Sequence, residues 1–490
     1  MHAIILCAGL SNRFRPVSYT IPKPLVPIDG IPLVERLISR LHDDGITDIT
    51  VVTGYLAEKF DYLRDAFNVT LVRNSRYASC NNWSSLLVVR DRLEDALILD
   101  GDLLFLENFV HFVQPGKSQF ISQPTTYGLE WQLQLAADGR IEDVHKWKAD
   151  GYGMVGLSYW QGEGARLLAA ELERCEPDEY WEDAAVRVLK KTPVYATCIE
   201  KPFLCELDSL HDALKLHVLT HEEIARLASS GYKPQKLKGL TNSTWKIRGH
   251  DGMMRCLRIP GTGTEAFIDR DQEPVVIGLI EHLAITPPTT FYPYGVKTST
   301  FLEGYRTATA EDMVRPFFDA LGALLTRLHH VPYSTAYGFS PLYIKQQIEM
   351  YETQSSLVAD PDQRAWLMDK AAFFDASPPV LCHRDLLLEN ILFQEGENYA
   401  TTQLIDFEYA GFTHPLWDPA SFILEAELEG ESRQLFIQAM ELGRSAEELL
   451  WMEILVDYVW GMWGVVNHYA DYAENRLKRS RLKFNALHGR

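Results

Sequence analysis

Two sets of residues in this chain are spaced for chemistry on phosphates. The first opens the sequence as Leu6-Cys7-Ala8-Gly9-Leu10-Ser11-Asn12-Arg13, followed by Pro22-Lys23-Pro24. A turn of small residues directly after a buried strand lets backbone N–H groups approach a triphosphate. Arg13 and Lys23 can neutralise its charge. Taken alone, Gly9 reads more readily as an ordinary βα turn with surface cations nearby. Further on, Leu97-Ile98-Leu99-Asp100-Gly101-Asp102 is a buried strand ending in two acids. A carboxylate in that position, facing a nucleotide, is suited to holding Mg²⁺; solvated loop acids are the plainer alternative. Glu206 and Asp208 lie two residues apart and project to one side of a strand.

The second set lies in the C-terminal half. His383-Arg384-Asp385 is followed by Asn390, and Asp406 comes sixteen residues after that, behind Leu404-Ile405. Phosphoryl transfer needs a base beside the acceptor hydroxyl and ligands for Mg²⁺. Asp385 has the place of the base, Asn390 and Asp406 those of the ligands, and His383 is expected to support the loop.

Aromatic residues gather near both sets. Trp131, Tyr159, Trp160, Tyr180 and Trp181 precede Glu182-Asp183, and Trp460 and Trp463 share a helix face three residues apart. A quaternary ammonium donates no hydrogen bonds. Aromatic faces beside a carboxylate recognise it, at roughly 0.5–2 kcal/mol per cation–π contact. Asp418 is the charge expected beside Trp460 and Trp463. Core or helix–helix packing is the competing use of all these rings.

The elements that must position these residues divide the chain in two. Residues 3–100 alternate between strand-like and helix-like segments. Ala3–Ala8 is continuously apolar, Val34, Leu37, Ile38 and Leu41 recur at helical spacing, Ile49–Thr53 is β-branched, Leu56–Phe67 reads as a helix and Ala96–Leu99 as a strand. This rhythm predicts a mainly parallel sheet with helices on both faces and a ligand beyond the strands' carboxyl ends. Residues 119–205 are more irregular and rich in Trp and Tyr, which suits a lid or substrate-binding insertion on the same domain. After about residue 210, Leu237–Lys246, Met254–Ile259 and Lys297–Leu302 read as a small sheet, and the spacing from Glu311 onward is largely helical. That is a kinase-like layout. The expected domains are 1–215 and 216–490.

Composition sets the outer limits. A chain of 490 residues, 46% hydrophobic and 23% charged, is too long for one core and too ordinary for disorder or a fibre. Its net charge of -20 argues against a nucleic-acid surface. The longest apolar run near the end, Tyr458 to Val466, has nine residues, whereas a membrane span needs roughly 20. No signal peptide is read at the N-terminus. Seven unpatterned cysteines suggest a reducing compartment, hence the cytoplasm.

The N-terminal run resembles the signature of sugar-nucleotide and phosphocholine nucleotidyltransferases: a small-residue loop, an arginine, then Pro-Lys-Pro. The resemblance implies that Leu6, Ala8, Gly9 and Arg13 bind nucleotide, that Lys23 is catalytic, and that Asp102, Glu206 and Asp208 hold metal. Asn81-Asn82-Trp83-Ser84-Ser85 is similar to those enzymes' base-and-ribose segment, which implies nucleotide contacts for Asn82 and Ser85. Tyr180-Trp181-Glu182-Asp183 is similar to the choline-binding stretch of bacterial phosphocholine cytidylyltransferases, which implies that Trp131, Tyr180, Glu182 and Asp183 bind substrate. The family usually has a second glycine where this chain has Ser11. If that position needs positive φ, Ser11 carries strain.

The C-terminal half resembles choline kinases and aminoglycoside phosphotransferases. Glu408 stands where protein kinases have the glycine of their DFG motif. Lys238-Gly239-Leu240-Thr241-Asn242-Ser243 corresponds to the phosphate-covering loop. Arg258 sits where protein kinases carry the strand lysine, with Glu273 as its helix partner, unless the two form only a surface ion pair. Phe301-Leu302-Glu303-Gly304 reads as the adenine hinge, which makes Glu303 a nucleotide contact. Asp418, Trp460 and Trp463 are the expected acceptor pocket.

Together the resemblances imply an α/β chain: a Rossmann-like nucleotidyltransferase sheet followed by a two-lobed, kinase-like α+β domain. The reactions implied are phosphorylation of choline by ATP and transfer of CMP from CTP to phosphocholine, with Mg²⁺ as cofactor, these small molecules as substrates and no nucleic-acid partner; the oligomeric state is left open. Ethanolamine or 2-aminoethylphosphonate in place of choline, and a sugar nucleotidyltransferase fused to a small-molecule kinase, remain open. A binding protein of two dead domains is disfavoured by the intact Lys23, Asp102, Asp385, Asn390 and Asp406.

Overall fold

The computed structural model describes residues 1–125, 131–146, 151–238, 242–261, 270–441 and 446–489. Its contacts divide the chain into two compact units, Met1–Leu237 with Trp245–Met254, and Lys238–Thr244 with Arg255–Arg490. The helix His221–Ala228, beyond the boundary expected at 215, packs in the first unit against Val17–Tyr19.

In the first unit, β1 (His2–Cys7) lies between β2 (Ile49–Thr53) and β4 (Ala96–Asp100), parallel to both; β3 (Thr70–Arg73) continues the sheet beyond β2. The continuous apolar run of β1 follows from cover on both faces. Ala3, Ile5 and Cys7 pack with Val34, Leu37, Ile38 and Leu41 of α1 (Leu33–Asp43), while Ile4 and Leu6 pack with Trp83 and Leu86 on the other side. Each large side chain so buried contributes roughly 1.5–3 kcal/mol.

The strands of residues 2–100 pair in parallel, as their rhythm predicts, and the antiparallel pairs of the sheet come from the strands that follow. Residues 119–205 lie on the same domain and extend its sheet. They add β5 (Gln119–Thr125), β6 (Trp131–Leu135), β7 (Ile141–Lys146), β8 (Gly151–Trp160) and β9 (Tyr195–Cys198) to the same nine-stranded sheet, with β8 antiparallel to β4. The alternation that would have shown this is hidden because both faces of β8 are buried. Tyr159 and Trp160 are consecutive, yet they enter opposite cores. The helix expected over Leu56–Phe67 is instead a 3₁₀ turn, Ala57–Phe60, and a short helix, Leu63–Phe67.

In the second unit, β10 (Met254–Pro260), β12 (Lys297–Thr300) and β11 (Thr289–Phe291) form an antiparallel set beside α3 (Gln272–Ile280). Residues 301–304 lead from β12 into β13 (Tyr305–Thr307) of a second, three-stranded sheet. Beyond it come α4 (Arg315–His329), α5 (Ile344–Ser355), α7 (Trp417–Glu425), α8 (Ala446–Val466) and α9 (Ala470–Leu487), with α6 (Pro361–Asp375) between α5 and α7. The nine-residue apolar run is the end of α8. Glu447–Val466 is long and apolar enough to cross a membrane, but most of it is buried in the unit against α5, α7 and α9. Two of its buried acids, Glu453 and Asp457, are ion-paired to Lys483 and Arg479 of α9, as in the core helix of a globular unit.

Candidate active sites

In the first unit the site gathers at the ends of β1 and β4. Gly101 lets the β4 end come close to β1. A Cβ there would stand 2.5 Å from the Cys7 sulfur and 2.8 Å from the Leu6 carbonyl. Leu204–Glu206 pairs antiparallel with Leu103–Phe105, which brings the third and fourth acids to the second. Oxygens of Asp102, Glu206 and Asp208 all lie within 4.8 Å of one another. The Lys23 ammonium bonds to Asp102 and stands 3.5 Å from Asp208, and Arg13 pairs with Asp208 at 2.8 Å. Burial alone would lower the Lys23 pKa; the charges of Asp102 and Asp208 outweigh it and hold the ammonium protonated. Burial, then the charge of Asp102, pushes Asp100 well above the usual carboxylate range.

Ser11 adopts φ 55°, ψ 36°, the left-handed conformation that glycine would take without strain. Its hydroxyl accepts the Lys23 backbone N–H at 3.1 Å. The loss of that bond and the strain separate in two variants. Ser11→Ala keeps the strain and loses the bond; Ser11→Gly loses both. Urea unfolding is expected to rank Ser11→Ala below Ser11→Gly by about 1 kcal/mol, the usual cost of a left-handed non-glycine residue. Equal stability of the two would contradict this account of the loop.

Asn82 accepts the Trp181 N–H at 2.9 Å and donates to Glu182 at 3.3 Å, which fixes the start of α2 (Trp181–Leu189). Ser85, expected at the nucleotide, is buried with its hydroxyl on Asn74 at 3.0 Å. Trp131 meets Tyr180 edge to face at 6.3 Å. Trp160 and Trp181 are instead core residues, packed on Phe120. An unforeseen residue, Lys146, is the cross-strand partner of Trp131; its ammonium lies 4.1 Å from the ring centroid and 2.7 Å from Asp183. Asp183 also caps α2 by accepting the Tyr180 N–H at 2.9 Å.

The second unit places Asp385 in a buried loop, where Asn390 donates to its carboxylate at 3.1 Å and to its carbonyl at 2.9 Å. Burial, with the charges of Asp406 and Glu408, raises the Asp385 pKa to about 7. His383 is kept neutral by burial. Its Nε2–H donates to the Ile405 carbonyl at 2.9 Å, and Nδ1 accepts the Asp385 N–H at 3.3 Å. Asp406 stands in the left-handed region at φ 67°. Burial would raise its pKa, but Arg258 and Lys297 pull it below the usual range. Arg258 and Glu273 form a fully buried pair, not a surface one.

The acceptor pocket needs a correction. Asp418 is wholly buried and bonded to the loop, accepting the N–H groups of His383 at 2.9 Å and Arg384 at 2.8 Å, with His329 at 3.0 Å. It positions Asp385 and is not a charge facing the aromatic pair. Trp460 and Trp463 meet at 5.7 Å, and Tyr409 stands edge-on to both, at 5.1 and 6.0 Å. Tyr409 was not foreseen, although it directly follows Glu408. Burial, then the charges of Glu408, Asp385 and Asp406, push its phenol upward. Glu303 is exposed in the segment joining the two sheets. Gly239, Leu240 and Thr241 of the expected phosphate loop lie outside the described residues.

A small-residue turn with its lysine and acids at the end of a mixed sheet, and an Asp–Asn–Asp set on a two-lobed unit, define a nucleotidyltransferase joined to a phosphotransferase. Residues 3–111 match the MobA-like NTP transferase domain and residues 288–450 the phosphotransferase enzyme family. The chain is 32% identical over 228 residues, 46% of its length, to the whole of a choline-phosphate cytidylyltransferase of Streptococcus pneumoniae. It is 33% identical over 218 residues, 43% of its length, to 89% of a 2-aminoethylphosphonate cytidylyltransferase of Lancefieldella rimae. Through its first half, the chain belongs to the choline-phosphate cytidylyltransferase family. A solved choline kinase of Streptococcus pneumoniae, 22% identical, covers 54% of this chain and 97% of its own, with a TM-score of 0.46.

Proposed function

We propose that the chain makes CDP-choline in two steps. The second unit phosphorylates choline with ATP, and the first transfers CMP from CTP to phosphocholine, releasing pyrophosphate. The observation that carries this reading is an aromatic cluster in each unit: Trp131 and Tyr180, with Asp183 at the start of α2, and Tyr409, Trp460 and Trp463. Seven free thiols suit the reducing cytoplasm as its location.

The residues fit a divalent cation at each site. Asp102 Oδ1 is buried without a hydrogen-bond partner, next to the carboxylates of Glu206 and Asp208. Asn390 turns its amide nitrogen to Asp385, so its carbonyl oxygen is the atom it offers beside Asp406. Mg²⁺ bound at these groups supplies charge stabilisation to the phosphates. In the kinase step, Asp385 takes the proton of the choline hydroxyl, whose oxygen attacks the γ-phosphorus as ADP leaves. In the cytidylyl step, a phosphocholine oxygen attacks the α-phosphorus in line, and Arg13 and Lys23 stabilise the added charge. A trapped cytidylyl-enzyme would overturn this direct transfer.

Product analysis with ATP, CTP, Mg²⁺ and a panel of choline, ethanolamine and 2-aminoethylphosphonate tests the reading. CDP-choline is the expected product; no nucleotide product from choline would reject it. The 2-aminoethylphosphonate relative makes that compound the second reading. Choline is expected to exceed ethanolamine in kcat/KM by about 10- to 200-fold, the range for a few methyl groups in an apolar pocket. A primary ammonium leaves donors unpaired against ring faces, whereas a trimethylammonium has none to lose. Equal values would show that the rings only pack the core.

A further inference from the structure

We propose that Lys297 is a positioning residue of the phosphotransfer site, acting with Arg258 to aim Glu273 and Asp406. This rests on the reading of the second unit as a kinase. Lys297 of β12 stands directly opposite Arg258 of β10 in the antiparallel register, so both side chains leave the same face of the sheet. They converge on one carboxylate. Arg258 Nη2 bonds Oε2 of Glu273, while Lys297 Nζ bonds Oε1. Arg258 turns its other nitrogen, Nη1, to Oδ1 of Asp406 and to Glu408 at 3.2 Å, and Lys297 Nζ lies 3.9 Å from the same Asp406 oxygen.

The charges in this cluster balance in number. Arg258, Lys297 and Arg270, which stands 3.8 Å from Glu408, face Glu273, Asp406 and Glu408. Arg258, Lys297, Glu273 and Glu408 are all buried. A buried charge deprived of its partner relocates toward whatever cation remains. Without Lys297, Arg258 is the cation left to Glu273 among the described residues, and Glu273 draws the guanidinium off Asp406. A planar guanidinium cannot serve diverging carboxylates as well as two separate cations can. The consequence falls on the alignment of Asp406, and so on transfer more than on nucleotide affinity.

The test uses the full-length protein. Three readouts are taken: choline phosphorylation, phosphate release from ATP with no acceptor added, and thermal unfolding. Lys297→Met is expected to lower kcat by about 10- to 100-fold, the scale of an ångström-level misplacement, with the KM for ATP changed less than about 3-fold. Lys297→Arg should recover most of the loss. In a Glu273→Gln background, Lys297→Met should cost little more, because the two act as a unit. A kcat for Lys297→Met close to wild type, or losses that multiply independently with Glu273→Gln, would overturn the proposal. If Lys297→Met unfolds, Lys297→Gln, which keeps a hydrogen-bond donor without the charge, is judged by the same outcomes. If the wild type phosphorylates no amino alcohol, the substrate reading fails on its own. Acceptor-free ATP hydrolysis then decides the role of Lys297 by the same comparison.

Discussion

Asp385→Asn is expected to lower choline phosphorylation by about 10²- to 10⁴-fold, the usual contribution of a positioned general base, and to leave CDP-choline synthesis from supplied phosphocholine unchanged. Asp385 sits in the only buried loop among the described residues that carries the His-Arg-Asp run, and Asn390 fixes its carboxylate at 3.1 Å. An amide of the same shape keeps the packing and removes the proton acceptor. The pH dependence follows from the same surroundings. The carboxyl must be ionised to take a proton, and burial with the neighbouring Asp406 and Glu408 holds its pKa at about 7. The wild-type rate should therefore fall as pH drops below this value. The sign for stability is opposite. An unfolded aspartate ionises near pH 3.9, so between there and pH 7 the folded state binds the proton more tightly. Stability is then lost as pH rises through that window. Asp385→Asn escapes this cost and should unfold at a higher temperature than wild type at pH 8, with the advantage vanishing near pH 4. Asp102→Asn should do the reverse in activity, losing cytidylyl transfer and sparing the kinase. Either substitution abolishing both reactions in folded protein would show that the sites are shared.

Lys23→Ala is expected to reduce CDP-choline formation by about 10²- to 10³-fold, the loss typical of one preorganised charge contact in a transfer site. Lys23 is 12% exposed at its side chain, bonds Asp102 and lies 3.5 Å from Asp208. Its backbone is anchored by Ser11, so its ammonium is aimed before any nucleotide arrives. Truncation leaves Asp102, Glu206 and Asp208 within 4.8 Å of one another with Arg13 as the cation paired to Asp208. Like charges so close repel strongly, and the thermal midpoint should fall in chelator and recover on adding Mg²⁺. Wild-type rates for Lys23→Ala would remove Lys23 from the chemistry. An unchanged midpoint in chelator would show that the acids do not depend on it.

The Asp385, Asn390 and Asp406 set, the buried β1 strand and the division into two halves are all readable along the chain. In these, the information is local. A strand covered on both faces must read as an unbroken apolar run, and Asp385, Asn390 and Asp406 lie close along the chain around one loop and one strand. Tertiary structure alone decided the partners that come from afar. Asp418 reads as a free charge next to Trp417, but the fold turns its carboxylate onto the amides of His383 and Arg384, more than thirty residues upstream. Lys146 and Lys297 read as ordinary strand lysines. Only strand register sets the first against Trp131 and the second against Arg258. Trp160 and Trp181 carry the same ring as Trp131, and only the covered faces of the sheet make them core residues. Spacing along a chain reports which side of an element a residue takes. What stands opposite that side depends on how the elements pair, and that is why Asp385, Asn390 and Asp406 are legible along the chain while Lys146, Lys297 and the bonds of Asp418 are not.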